Sequence, residues 1–175
     1  MSTWTIDPSH STIGFAVKHM MISTVRGRFA NFTGTVALDE AHPENSKLDV
    51  SIDASSIDTR AEQRDGHLRS ADFFDVEKHP ALTFKSKRVI GNPANDFKVV
   101  GDLTIRGVTK EVTLDASFEG QGKDPWGNER RAFTAKGKVN REEFGLRWNQ
   151  ALETGGILVG NDVKIEIESE FLKAA

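Results

Sequence analysis

Five histidines and one serine–histidine–aspartate trio are the residues whose types could perform chemistry in this sequence. The histidines are His10, His19, His42, His67 and His79. A metal site needs three or four converging ligands, and no two histidines show the HxH or HExxH spacing, so we predict no metal site. Ser70, His67 and Asp65 lie too close together on one predicted helix to align as nucleophile, base and acid, and no G-x-S-x-G elbow is present. We therefore predict no catalytic residues.

The composition excludes several other classes of function. The chain has 175 residues and a net charge of −3, with scattered basic residues, so we predict no nucleic-acid partner. It has no cysteine, which excludes disulfides and cysteine metal ligands. The glycines at positions 107, 155 and 156 match no phosphate-binding fingerprint. No stretch is apolar enough for a transmembrane segment, and the length predicts one domain over residues 1–175.

The first residues give an expectation about location. The sequence begins with MSTWTIDPSH, which has neither a positively charged region nor the apolar core of a secretory signal. We therefore expect a cytoplasmic protein, or a periplasmic or secreted one if the chain is a trimmed mature form.

Apolar and polar residues alternate with period two over much of the chain, which predicts β-strands with one buried face. Eight such strands are predicted, at residues 12–18, 32–38, 47–53, 82–85, 97–106, 111–119, 133–139 and 163–171. Helical crossovers of the kind that parallel strands need are missing. The fold class is therefore all-β and antiparallel, as a sandwich or a closed barrel. Closure is favoured because it removes exposed edge strands.

One or two short helices are predicted between the strands. The first covers residues 59–70, where Thr59 and Glu62 have the spacing of a capping box, with Ala61 and Leu68 facing inward. The second is a short helical turn within residues 141–148. The first helix is polar on nearly every side, so it packs by one small stripe or lies across an opening.

Small residues share the inward parity of the large apolar side chains on several strands. They are Gly34, Ser86, Gly101, Ala116, Gly120, Ala135, Gly137 and Ser169. In a barrel of about eight strands, small inward residues favour a ligand cavity. The glycines could equally relieve strain where strands bend. The walls would be aromatic and aliphatic, since the chain has eleven Phe, three Trp and no Tyr.

Several blocks of residues, in order, also resemble a known family. They are Trp4-Thr5-Ile6-Asp7, His10-Ser11-x-Ile13-x-Phe15-x-Val17-x-His19, Val25-x-Gly27-x-Phe29-x-x-Phe32-x-Gly34, Arg64-Asp65-x-His67-Leu68-x-Ser70-x-Asp72-Phe73-Phe74-Asp75, His79-Pro80-x-x-x-Phe84, Gly101-x-Leu103-Thr104-Ile105-x-Gly107-Val108-Thr109 and Asn140-Arg141-x-x-Phe144-Gly145-x-x-Trp148. The chain resembles the YceI-like family of polyisoprenoid-binding, lipocalin-like proteins over nearly its whole length. The resemblance implies an eight-stranded lipocalin-like barrel that holds a long isoprenoid or similar amphiphilic chain, and often a homodimer. It implies no catalytic residues and no cofactor, although a bound isoprenoid quinone or polyprenyl phosphate is a possible ligand.

Ligand contacts are predicted from the inward-facing residues and the matching blocks. The predicted contacts are Phe15, Val17, His19, Phe32, Val36, Phe84, Leu103, Ile105, Phe133, Phe144 and Trp148. Arg64 and His67 are candidates for the lipid head group, or for a network that tethers the helix through Asp65, Asp72 or Asp75. Two other functions stay open: a lipid isomerase or cyclase with His19 or Glu143 as base, and a structural, stress-related protein with a solid core.

Overall fold

The computed structural model describes residues 1–152 and 156–175, so Gly155 lies outside the described residues. Its strands and one α-helix follow in chain order, with the helix between the sixth and seventh strands. They are β1 (Ser2–Ile6), β2 (Thr12–His19), β3 (Ser23–Phe29), β4 (Phe32–Leu38), β5 (Lys47–Asp53), β6 (Ile57–Asp58), α1 (Glu62–Arg69), β7 (Ala81–Gly91), β8 (Asp96–Ile105), β9 (Val108–Lys123), β10 (Glu129–Asn140) and β11 (Val159–Lys173). Short 3-10 turns lie at Pro8–His10, Pro43–Asn45, Ala54–Ser56 and Arg141–Phe144. No helix among these residues is long and apolar enough to cross a membrane.

Eight of the strands close into an antiparallel barrel, in the order β1, β4, β5, β7, β8, β9, β10 and β11. Closure comes from β11, whose last residues pair with β1, as in Phe171 with Ile6. The first part of β11 pairs instead with β2, as in Ile165 with Phe15. Strands β3 and β6 extend the sheet beyond β2. The barrel therefore ends differently at its two rims, because β11 changes partner along its length.

The predicted fold class is confirmed, and each of the eight predicted strands corresponds to an observed strand. Strands β1, β3 and β6 were not predicted. In β1 only Trp4 and Ile6 are apolar and buried, which is too short an alternation to stand out. In β3 the alternation is interrupted at Gly27, where the ring of Phe15 covers the position that a Cβ would occupy.

The first helix lies where the sequence predicts it, but its predicted capping box is wrong. The N-cap residue is Ala61, which has no capping side chain. The backbone N–H and hydroxyl of Thr59 both donate to Oδ1 of Asp65. Arg60, between Thr59 and the helix, has φ of 66°. The chain turns at this residue, and Thr59 contacts Asp65 on the helix. Asp65, 3% exposed, therefore faces inward and holds Thr59, and it is one of the three carboxylates that the sequence suggested as a tether for the helix.

The second predicted helix is limited to the 3-10 turn Arg141–Phe144. The side chain of Asn140 accepts a hydrogen bond from the N–H of Glu142 and so caps its start. Gly145 follows with φ of 85°, a conformation that suits glycine and ends the turn. The chain then continues without regular helix, which leaves its carbonyl groups free to accept hydrogen bonds from elsewhere.

Three carboxylates surround Arg130 at the rim where the barrel closes. The guanidinium lies 2.9 Å from oxygens of Asp7, Asp124 and Glu170. It thereby joins the turn after β1, the β9–β10 hairpin and β11. Its hydrogen bond holds the pKa of Asp7 well below its usual range. Burial opposes ionisation of Asp124, yet the N–H of Asn128 and the Arg130 guanidinium outweigh it and lower its pKa to about 2.

We expect this cluster to make the free energy of unfolding depend on pH in the acidic range. Because the folded pKa values of Asp7 and Asp124 lie below that of an unfolded aspartate, about 3.9, the stabilisation is present above about pH 4 and is lost as the pH falls through 2. In urea unfolding at pH 6, the free energy of unfolding of Arg130→Met should be well below that of wild type. The difference between the two should shrink towards pH 2. Lys98→Met, which removes an exposed ion pair with Asp115, should change little at either pH. A difference for Arg130→Met that is independent of pH would contradict this prediction.

Candidate ligand-binding site

The barrel encloses a cavity of about 290 Å³. Its wall includes side chains from all eight barrel strands, together with residues of β2, β3, β6 and α1. This volume is near the lower end of the range for small-ligand pockets, about 300–1,000 Å³. It is well above that of an engineered apolar cavity, about 150 Å³, that takes benzene. The interior is therefore incompletely filled by its own side chains.

The cavity contacts both halves of the core. One half is built around Ile6, Phe29 and Phe171, and the other around Phe84, Leu114 and Phe144. Partly buried residues pack against both clusters and join them; they are Leu48, Val50, Leu68, Phe74, Ile105 and Ile167. An apolar space that contacts both halves of the core suits a hydrocarbon chain better than a polar metabolite.

Five polar residues border the cavity, and the rest of its wall is apolar. They are Ser46, Lys47, Thr134, Arg141 and Ser169. Four make hydrogen bonds within the protein, as when Ser169 donates to the carbonyl of Phe133 at 3.1 Å. Within the described part of this wall there is neither a histidine nor a carboxylate. The wall can bury a hydrocarbon, but it offers few groups for chemistry.

Eight of the predicted ligand contacts line the cavity. They are Phe15, Val17, Val36, Phe84, Leu103, Ile105, Phe133 and Phe144. Phe133 packs against Phe97, Phe118 and Phe171 with ring centroids 5.5–6.0 Å apart. Their contact with a ligand stays a prediction, but the structure brings these eight residues to one surface.

Three other predicted contacts lie outside the wall. Phe32 is 7% exposed and belongs to the core cluster around Ile6. His19 pairs with Val159 and Ser23 at the far end of β2. The ring of Trp148 packs edge-to-face on His67 at 4.6 Å. A role for these three residues in ligand contact stays a prediction that the geometry does not support.

The two head-group candidates make contacts within the protein. Nε and Nη2 of Arg64 donate to the hydroxyl and carbonyl oxygens of Thr59, both at 2.7 Å. Nε2 of His67 lies 2.8 Å from a carboxylate oxygen of Asp72. Neither side chain lines the cavity. Of the two readings left open by the sequence, this geometry favours the network that tethers the helix.

The small inward residues do not all act alike. Ala116, Ala135 and Ser169 line the cavity, as the cavity reading predicts. Gly101 and Gly137 are covered instead: a Cβ would lie 2.6 Å from the carbonyl oxygen of Lys85 in the first case and 2.7 Å from Cδ2 of Leu114 in the second. Leucine at Gly101 would therefore collide with backbone rather than fill a cavity. Glycine occupies positions 101 and 137 because neighbouring groups pack directly against the backbone there.

Sequence reasoning missed much of the wall. Ile6 and Phe29 belong to the unpredicted strands β1 and β3, and Phe73, Phe74 and Leu146 lie on irregular segments without periodicity. Other wall residues were within reach, because they share the inward parity of predicted strands; examples are Val99, Val112, Leu114 and Ile165. A fuller use of parity would have found this second group but not the first.

Arg141 ties the irregular segment after the 3-10 turn to the start of β11. Its guanidinium donates to the carbonyl oxygens of Leu146, Trp148, Val159 and Gly160 at 2.6–3.3 Å. The residue is 5% exposed, and this burial lowers the pKa of its guanidinium. Four backbone acceptors thus satisfy a buried charge, which fixes residues 146–148 against the start of β11.

Comparison with known proteins gives consistent matches over the whole chain. A family model described as a YceI-like domain matches residues 4–171. UPF0312 protein SA2479 of Staphylococcus aureus strain N315 is 43% identical over 172 residues, which is 98% of each chain. The solved YCEI protein of Campylobacter jejuni is 34% identical, with a TM-score of 0.77 over 90% of each chain.

Two solved structures with lower sequence identity share the fold. BcnA of Burkholderia cenocepacia has a TM-score of 0.82 at 23% identity, covering 94% of this chain and 98% of its own. A polyisoprenoid binding domain from Saccharophagus degradans, implicated in plant cell wall breakdown, has a TM-score of 0.72 at 14% identity, covering 99% of this chain and all of its own. At these identities the likeness establishes the barrel fold alone.

Proposed function

The chain belongs to the YceI-like family, and from this premise we propose that it binds a long-chain isoprenoid or a similar amphiphilic lipid inside its barrel. The proposed ligands are of the isoprenoid quinone or polyprenyl phosphate class, and the proposed role is storage or transport. The structural relative described as a polyisoprenoid binding domain supports this class of ligand.

The observation that carries the proposal is the apolar cavity. Burial of apolar surface contributes roughly 25 cal/mol per Å², and this wall supplies aromatic and aliphatic contacts along both halves of the core. A hydrocarbon tail would meet such contacts along its length. Much of that gain offsets the entropy lost on binding, so a longer tail should bind more tightly until the cavity is full.

Binding without catalysis is the reading that the wall supports. The alternative enzyme would use His19 or Glu143 as base, but neither residue lines the cavity, and a general base must reach the reacting proton. The solid-core alternative is disfavoured by the cavity itself. A cytoplasmic location and a homodimer stay predictions from the sequence.

Two measurements on the purified protein test the proposal. Denaturing extraction followed by mass spectrometry should recover a bound lipid. Added geranylgeraniol, at about one hundred times its dissociation constant, should stabilise the lipid-free native state by about 2.7 kcal/mol, which raises the melting temperature by roughly 5–10 °C. Geranylgeraniol should be recovered unchanged. Absence of both a bound lipid and a thermal shift would refute lipid binding, and a converted product would favour the enzyme.

A further inference from the structure

Four exposed apolar side chains lie together at one end of the molecule. Met20, Met21 and Ile22, in the β2–β3 turn, are 42%, 62% and 80% exposed, and Ile157, just before β11, is 36% exposed. We call these four residues the apolar tip. Single exposed apolar residues are normal on a protein surface, but adjacent residues from two separate loops form a patch that calls for a partner.

The two loops of the apolar tip are held against each other. The N–H of Met20 donates to the carbonyl oxygen of Leu158 at 2.7 Å. The sulfur of Met21 lies where a side chain at Gly156 would begin, only 2.3 Å from the ideal Cβ position. The apolar tip is therefore one surface, although its residues are far apart in the sequence.

The backbone at the apolar tip is in a conformation that its residues do not favour. Met20 and Met21 have φ of 54° and 63°, in the left-handed region that Gly, Asn and Asp enter more readily. The turn thus presents large apolar side chains where small or polar residues would fit the backbone better. Strain of this kind is often found at functional positions. Here the two residues with positive φ are also exposed apolar residues.

The apolar tip also lies close to the cavity. Val17 and Val159 line the cavity and stand three residues from Met20 and two residues from Ile157 along the chain. At roughly 3.3 Å per residue, the cavity wall ends within about 10 Å of the apolar tip. The exposed basic residue Lys18 lies two residues before Met20.

We propose that the apolar tip docks onto the surface of a lipid bilayer and places this end of the barrel where lipid is exchanged. Docking as a step in exchange rests on the proposed function. A bilayer fits better than a protein partner, because a stable protein interface uses about 20–30 residues on each side. Insertion of a few apolar side chains gives reversible contact with a membrane, and the exposed Lys18 beside them adds attraction to anionic lipid.

The sequence permits a direct test, because it contains no cysteine and a single introduced thiol can carry an environment-sensitive fluorophore. We would label Ile22→Cys and, as a control, Trp126→Cys. Trp126 is 82% exposed but lies in the β9–β10 turn, near the opposite end of β11. On addition of phosphatidylcholine–phosphatidylglycerol vesicles, the label at position 22 should brighten and shift to the blue, and the label at position 126 should not change.

Unlabelled variants give a second readout. Met21→Asn/Ile22→Ser should bind the same vesicles at least about tenfold more weakly, since it removes two apolar side chains, while Trp126→Ser should bind like wild type. The double variant should still take up geranylgeraniol added from solution. If wild type does not take up geranylgeraniol, lipid binding is refuted but docking is not. The two proposals can therefore fail separately.

Three results would overturn the docking proposal. The first is no fluorescence change at position 22. The second is a change at position 126 in its place. The third is self-association without vesicles that Ile22→Ser abolishes, which would assign the apolar tip to a second copy of the chain.

Discussion

Ala135→Phe should leave the barrel folded and weaken geranylgeraniol binding by about 50-fold. Ala135 lies on β10 and lines the cavity beside Ala116, its cross-strand partner on β9. A phenyl ring at this position would occupy space that the ligand needs. If the ligand loses contacts equivalent to about three methylene groups, at about 0.8 kcal/mol each, its affinity falls by roughly this factor. Fluorescence or calorimetric titration would measure the change.

The control for this prediction is Ala132→Phe, which introduces the same ring on the same strand. Ala132 is half-buried and does not line the cavity, so binding should stay close to that of wild type. Ala116→Phe is a second cavity-filling variant in case the first disturbs folding. Undiminished binding by folded Ala135→Phe and Ala116→Phe would place the lipid outside the barrel.

Arg141→Met should reduce the free energy of unfolding by about 3–5 kcal/mol. Methionine keeps the length and apolar character of the stem but cannot donate to the four carbonyl oxygens that Arg141 satisfies. Each buried acceptor that loses its partner costs about 1–3 kcal/mol, and relief of the buried charge offsets part of that sum. Urea unfolding at neutral pH would measure the loss.

Two further variants separate the possible causes of that loss. Arg147→Met removes a nearby exposed arginine, whose Nε donates to the carbonyl of Glu142 at 3.3 Å, and should change the free energy of unfolding by less than about 0.5 kcal/mol. Arg141→Lys keeps the charge but not the planar set of donors, so it should recover only a small part of the stability. Full recovery with lysine would show that charge, rather than the hydrogen-bond geometry, is what the loop requires.

The sequence by itself determined the class of fold and most of its strands. Alternation with period two is a local property, and it is strong wherever one face of a strand is buried and the other is exposed, as along Val163, Ile165 and Ile167 of β11. The matching blocks of residues also identified the family, which the comparisons confirm. Parity on the strands placed seven predicted contacts on the cavity wall, and the matching blocks added Phe144.

Only the tertiary structure decided what occupies the space at each small residue and each polar group. Gly101 and Ala116 look alike as small inward residues, yet backbone and the ring of Phe84 pack on Gly101 while Ala116 borders empty space. Arg64 suggested a head-group site, but its partner is Thr59. The physical reason is that periodicity records which face of a strand is buried. Which residue contacts that face depends on strands that are distant in the sequence. Their register in the closed barrel decides which side chains meet.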